Sequence, residues 1–153
     1  SIVYSNGNAS LEYAEEYNEN IEILEPRVDY PYGDLVDPRV FASSVAKATK
    51  PITLEATQKT INVSYSLGDV RNTLIKYSVP VEGGKANIPA GTKIMIPSEA
   101  AKVLKTLRRT DGVMVRFKPS DDKNKVAPLK IGYKVGQDKI IAGYLMVAPI
   151  INE

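Results

Sequence analysis

Seventeen residues, KVLKTLRRTDGVMVRFK (102 to 118), carry six basic side chains, Lys102, Lys105, Arg108, Arg109, Arg116 and Lys118, against one acid, Asp111. Cations at this density gather anions: the phosphates of a nucleic acid, or carboxylates that a protein supplies. Nucleic-acid surfaces normally interleave exposed aromatic rings for stacking. Here Phe117 is the one aromatic in the run, and it sits on the apolar side of its alternation. An RNA-recognition aromatic box, a zinc finger and a glycine-rich phosphate loop are absent from the sequence. The competing account is a solvated helix face, with Arg108 and Arg109 complementing the carbonyl end of the helix.

Catalytic chemistry has less to draw on. The 153 residues contain no histidine and no cysteine, which removes disulfides, thiolate zinc sites, cysteine nucleophiles and histidine triads together. The carboxylate pairs Glu15-Glu16 and Asp121-Asp122 lie in an acidic segment and in a lysine-flanked polar turn, where solvation accounts for them. No G-x-S-x-G elbow supports a serine nucleophile, and PSDDKNK offers calcium two carboxylates among adverse charges. The expectation is a chain that is not an enzyme and holds no metal or cofactor.

Two elements must position the basic run. Ser98 is placed to cap a helix running to about Arg109, with Ala100, Val103, Leu104 and Leu107 as its inward stripe and Lys102, Lys105 and Arg109 opposite. The strand VMVRF that follows sends Arg116 and Lys118 to the side opposite Val113, Val115 and Phe117. An earlier helix is signalled by Asp37 as cap, Pro38 at the first position, and Val40, Phe41, Val45 and Ala48 at helical spacing before Pro51. Everything else alternates as strand: ITLEAT, TINVSYSL, NTLIKYSV, KIMI, APLKIGYKV and KIIAGYLMVAP, separated by turn-forming residues. The pattern predicts an α+β, mainly β fold: an antiparallel sandwich or partly open barrel with two short helices and an extended N-terminal arm.

That arm carries the opposite charge. Residues 1 to 45 hold nine acids and two bases, whereas residues 46 to 153 hold eighteen bases and nine acids. Such asymmetry marks an interaction segment. Disordered acidic tails are poor in aromatics, yet five of the nine tyrosines fall in the first 32 residues. Leu11, Tyr13, Tyr17, Ile21 and Ile23 keep the parity of an edge strand, while Leu11, Ala14 and Tyr17 also allow a short helix after Ser10. Pro26, Pro31 and Pro38 hold the next stretch extended and away from any sheet centre. The chain divides as an acidic, Tyr/Pro-rich arm (1 to 38) and one β-rich domain (39 to 153), with Tyr13, Tyr17, Ile21, Ile23, Tyr30 and Tyr32 as the arm's interface residues. The arm's carboxylates, its own or a neighbour's, are the expected partner of the basic face, with tyrosine burial supplying the specificity.

The stretch NIPAGTKIMIP (87 to 97) resembles the "IPAGT" turn-and-strand phrase of β-rich head-decoration proteins of tailed phages and of small β-clip domains. By itself the phrase is good turn chemistry, Pro89 and Gly91 organising a tight connection. With the arm and the charge division, the resemblance implies a virion structural or capsid-decoration protein, an oligomer assembling through its arm onto neighbouring subunits or a capsid or tail lattice. The alternatives are a nucleic-acid-binding module using the basic 102 to 118 face, and a regulatory adaptor or inhibitor offering the acidic arm. The start SIVYSNGN lacks a signal-peptide pattern, and IIAGYLMVAPII is too short to cross a bilayer. The expected location is the virion or host cytoplasm, with no membrane partner.

Overall fold

The computed structural model describes residues 9 to 17, 30 to 67, 73 to 118 and 127 to 150, the first of these as a backbone path. Among the described residues the order is β1 (Ala9–Tyr17), β2 (Tyr32–Val36), α1 (Pro38–Val45), β3 (Ile52–Ala56), β4 (Thr60–Ser66), β5 (Leu74–Pro80), β6 (Lys93–Ile96), α2 (Ala100–Leu104) with a 3₁₀ extension (Lys105–Arg109), β7 (Gly112–Phe117), β8 (Leu129–Val135) and β9 (Ile140–Val147). The strands form two antiparallel sheets, one of five in the order β1-β9-β8-β7-β2 and one of four in the order β5-β4-β3-β6. An isolated bridge between Val36 and Val81 joins them at one seam. The fold is α+β and mainly β, with two short helices and no closed barrel.

Alternation makes these strands. In β4, Ile61, Val63 and Tyr65 are buried while Asn62 and Ser64 are half-exposed, and β3 repeats the pattern with Ile52, Leu54 and Ala56. Thr57 Oγ1 closes their hairpin by accepting from the Thr60 amide at 2.9 Å. Opposite them, Val113, Val115, Leu129, Ile131, Leu145 and Val147 of the five-stranded sheet join the same apolar cluster. Burying one such side chain is worth about 1.5–3 kcal/mol, so this shared core carries the fold.

Both helices close that core. Asp37 accepts from the Arg39 and Val40 amides at 2.8 and 3.2 Å, Pro38 occupies the first turn, and Phe41, Ala42, Ser44 and Val45 face inward. Val40, expected on that stripe, is 42% exposed. The second helix starts at Glu99 with no side-chain cap, so Ser98 does not cap it through its hydroxyl, and only its first turns are α-helical. Ala100, Ala101, Leu104 and Leu107 are its buried residues. No helix among the described residues is long and apolar enough to cross a membrane.

The acidic N-terminal segment supplies both edges of the five-stranded sheet. The backbone of β1 pairs with β9 from Ala9↔Val147 to Tyr17↔Ile140, with a register shift between Tyr13 and Glu16. This is the extended alternative of the two that its spacing allowed. β2 pairs with β7 on one side only, from Tyr32↔Phe117 to Val36↔Val113, which places this proline-flanked stretch at an edge rather than at the sheet centre.

Candidate nucleic-acid interface

α1 and the 3₁₀ extension of α2 lie against each other, turning their apolar stripes into the core and their other faces outward. The outward faces are basic. Lys102, Lys105, Arg108 and Arg109 are exposed on the second helix, and Arg39, Lys47 and Lys50 are exposed on and just beyond the first. Three acids stand nearby, Asp37, Glu99 and Asp111, and two of them are engaged with backbone: Asp37 caps α1, and Asp111 accepts from the Gly136 amide at 2.7 Å. Among the described residues no carboxylate pairs with Lys102, Lys105, Arg108 or Arg109.

The six residues of the basic run do not share one surface. Lys118 is exposed just past β7, but Arg116 is 3% exposed. It leaves β7 on the face opposite Val113 and Val115, as its parity requires, yet its stem lies across Gly33, whose missing side chain would stand 3.0 Å from Arg116 Cγ. The side chain lies over the neighbouring edge strand β2. Conversely, Arg39, Lys47 and Lys50 were missed by the sequence reading, because Arg39 was counted with the acidic segment and the lysines lie past the end of α1. The capped helix at Asp37-Pro38 was legible, and projecting its polar face would have found Arg39.

The arm residues also have places. Tyr13 and Tyr17 pair through backbone with Gly143 and Ile140, whereas Ile21 and Ile23 lie outside the described residues. Tyr30 is 6% exposed. Its hydroxyl donates to the Pro128 carbonyl at 3.0 Å, and its ring stands 5.2 Å from Lys130 Nζ, which also lies 4.4 Å from the Tyr144 ring. Tyr32 packs at the rim of the core. Tyr30 and Tyr32 therefore dock on the chain's own sheet.

This arrangement of two antiparallel sheets over a shared core with two short helices side by side resembles solved PCNA and beta-clamp structures. Similar solved structures include the PCNA2–PCNA3 complex from Sulfolobus tokodaii, with 19% identity, coverage of 94% of this chain and 55% of that one, and a TM-score of 0.54. PCNA from Thermococcus kodakaraensis gives 16%, 97%, 67% and 0.57, and DNA polymerase III subunit beta from Borrelia burgdorferi gives 9%, 98%, 40% and 0.60. The chain thus spans between 40% and 67% of the length of these structures. No family model and no curated protein sequence matches it.

This fold overturns the virion reading. The expected phage capsid-decoration identity, the virion-assembly function and the capsid or tail lattice fall together, because the fold is similar to that of PCNA and beta-clamp structures. The IPAGT phrase misled because its chemistry is local. The Pro89 carbonyl accepts from the Thr92 amide and hydroxyl at 3.1 and 2.6 Å, and the Gly91 amide donates back to the Ala56 carbonyl at 2.8 Å. Unrelated chains that turn tightly into a strand arrive at the same residues.

Proposed function

We propose that this chain is a non-enzymatic clamp unit that lies along duplex DNA with the α1/α2 layer facing the phosphate backbone, and that it associates with further copies or units to enclose the duplex. The observation that carries the reading is the basic layer: four exposed cations on the second helix, without paired carboxylates among the described residues, beside Arg39 on the first helix and Lys47 and Lys50 just beyond it. Such a layer suits contact without sequence readout, since cations release counterions from phosphate whatever the bases are. The likeness of the fold to clamps, one of them a DNA polymerase subunit, supports the same partner class. Protein partners belong to the reading as well, since one of the similar structures is a complex, of PCNA2 with PCNA3.

The test is duplex binding across a salt series, comparing the unaltered protein with Lys102→Ala/Lys105→Ala/Arg108→Ala/Arg109→Ala. All four positions are exposed, so folding should be preserved. The slope of log affinity against log salt is expected to fall by about 1 for each phosphate contact removed. An unchanged slope and affinity would overturn the reading.

A further inference from the structure

The basic layer is not uniform. Between the two helices lies a groove of about 500 Å³ lined by Ala42, Ser43 and Ala46 on one wall and by Lys105, Thr106, Arg108 and Arg109 on the other. No carboxylate lines it. Lys105 stands three and four residues from Arg108 and Arg109, a spacing at which like charges on a helix repel. The carbonyl ends of both helices open nearby and would absorb some of this charge, each with about half a negative elementary charge. Against three full positive charges that leaves a surplus of roughly two. The opposite wall is made of small side chains, and the Thr106 hydroxyl is already turned to the Val103 carbonyl at 2.6 Å. Ser43 is therefore the other hydroxyl-bearing residue of the groove, on the wall opposite the cations.

The geometry points to a seat for a single phosphoryl group in this groove, held by Lys105, Arg108 and Arg109 with Ser43 opposite, its source being the backbone of duplex nucleic acid. This rests on the clamp reading and sharpens it: one phosphate is gripped in a fixed place, while the remaining cations act as a diffuse field. A backbone phosphodiester suits the site because its two non-bridging oxygens share one negative charge and can accept from several cations and a hydroxyl at once.

The seat can be separated from the field by filling the groove without touching its charge. In Ser43→Leu/Ala46→Leu both substituted positions are exposed, with unfolding midpoints as the folding control and Ser43→Leu alone as the stand-in if the double variant is unstable. Fluorescence anisotropy with a labelled duplex is expected to show affinity falling about tenfold, the loss of one charge-assisted contact set. Duplex binding that responds to the four-alanine variant but ignores the filled groove overturns the seat and leaves the clamp reading intact. In a parallel arm, tripolyphosphate is titrated while the Ser43 and Thr106 amide resonances are followed. Saturable shifts in a protein that binds no duplex would make a free polyphosphate the source, overturning the nucleic-acid source and the clamp reading together.

Discussion

Asp34 accepts hydrogen bonds from the Asn87 and Ile88 amides at 2.7 and 3.0 Å, and it does so while 3% exposed. The carboxylate ties β2 to the loop that enters β6, beside the Val36↔Val81 bridge, so it pins one sheet to the other. Removing it leaves two amides without their acceptor, which costs about 1–3 kcal/mol per buried group. Asp34→Ala is expected to lose about 2–3 kcal/mol in urea unfolding, with Asp34→Asn losing less because one acceptor remains. Tyr65 gives a pH signature. Burial first, and then Tyr77 with its ring centroid 6.4 Å away, raises the Tyr65 phenol above its ordinary value. The folded state then holds its proton where the unfolded chain gives it up, so stability is complete below the ordinary tyrosine pKa of about 10 and declines as pH rises beyond it. Phenolate absorbance together with alkaline unfolding should show this decline, reduced in Tyr65→Phe.

At the scale of elements, several strands were legible because they have one wet face. β3, β4, β6 and β9 fall within the alternating stretches that named them, β7 starts one residue ahead of VMVRF, β8 lies within its stretch but is buried on both faces from Leu129 to Tyr133, and α1 begins where Asp37 and Pro38 put it. The second helix was legible as a stripe but not as a geometry, since nothing in AAKVLKTLRR distinguishes α-helix from the tighter 3₁₀ turns that finish it. The candidate interface was half legible. Alternation gave the face of Arg116 correctly, but its side chain lies down across Gly33 of β2, a strand about eighty residues earlier whose pairing no local pattern encodes. The groove depends on α1 and α2 meeting, which is likewise a tertiary fact. One turn does follow from a single residue: Gly136 has φ +110° between β8 and β9, and a side chain there would meet the Lys139 carbonyl oxygen at 2.1 Å. Gly136→Ala should therefore cost about 1–3 kcal/mol, measured as a shift in the unfolding midpoint, and should broaden amide resonances of the β8–β9 hairpin.

For the whole molecule, the constraint is that one chain of this length covers only part of the clamps it resembles. Edge strands are where sheets from separate chains join. β5 closes one side of the four-stranded sheet with Leu74 64% and Tyr77 38% exposed, and β6 closes the other. The proposed enclosure of DNA includes association through such edges. Sedimentation velocity is expected to show species larger than the monomer whose share rises with protein concentration, and further when duplex DNA is added. A monomer at every concentration, with and without DNA, would remove enclosure from the proposed function and leave an open DNA-contacting unit.

The pairing of β1 with β9 also governs the order of events during synthesis. β1 leaves the ribosome before β9, which is completed roughly 130 residues later, a delay on the order of 10 s at about 5–20 residues per second. For that interval Ala9–Tyr17 is a strand-forming segment with nothing to pair with, the condition under which nascent chains cross-pair and aggregate. Its sequence, ASLEYAEEY, carries Glu12, Glu15 and Glu16, and charges placed within such a segment act as gatekeepers. The three glutamates are expected to keep β1 soluble until β9 is made. Replacing the three glutamates by glutamine should raise the insoluble fraction in cell-free translation, while the protein that does fold keeps the duplex affinity of the original.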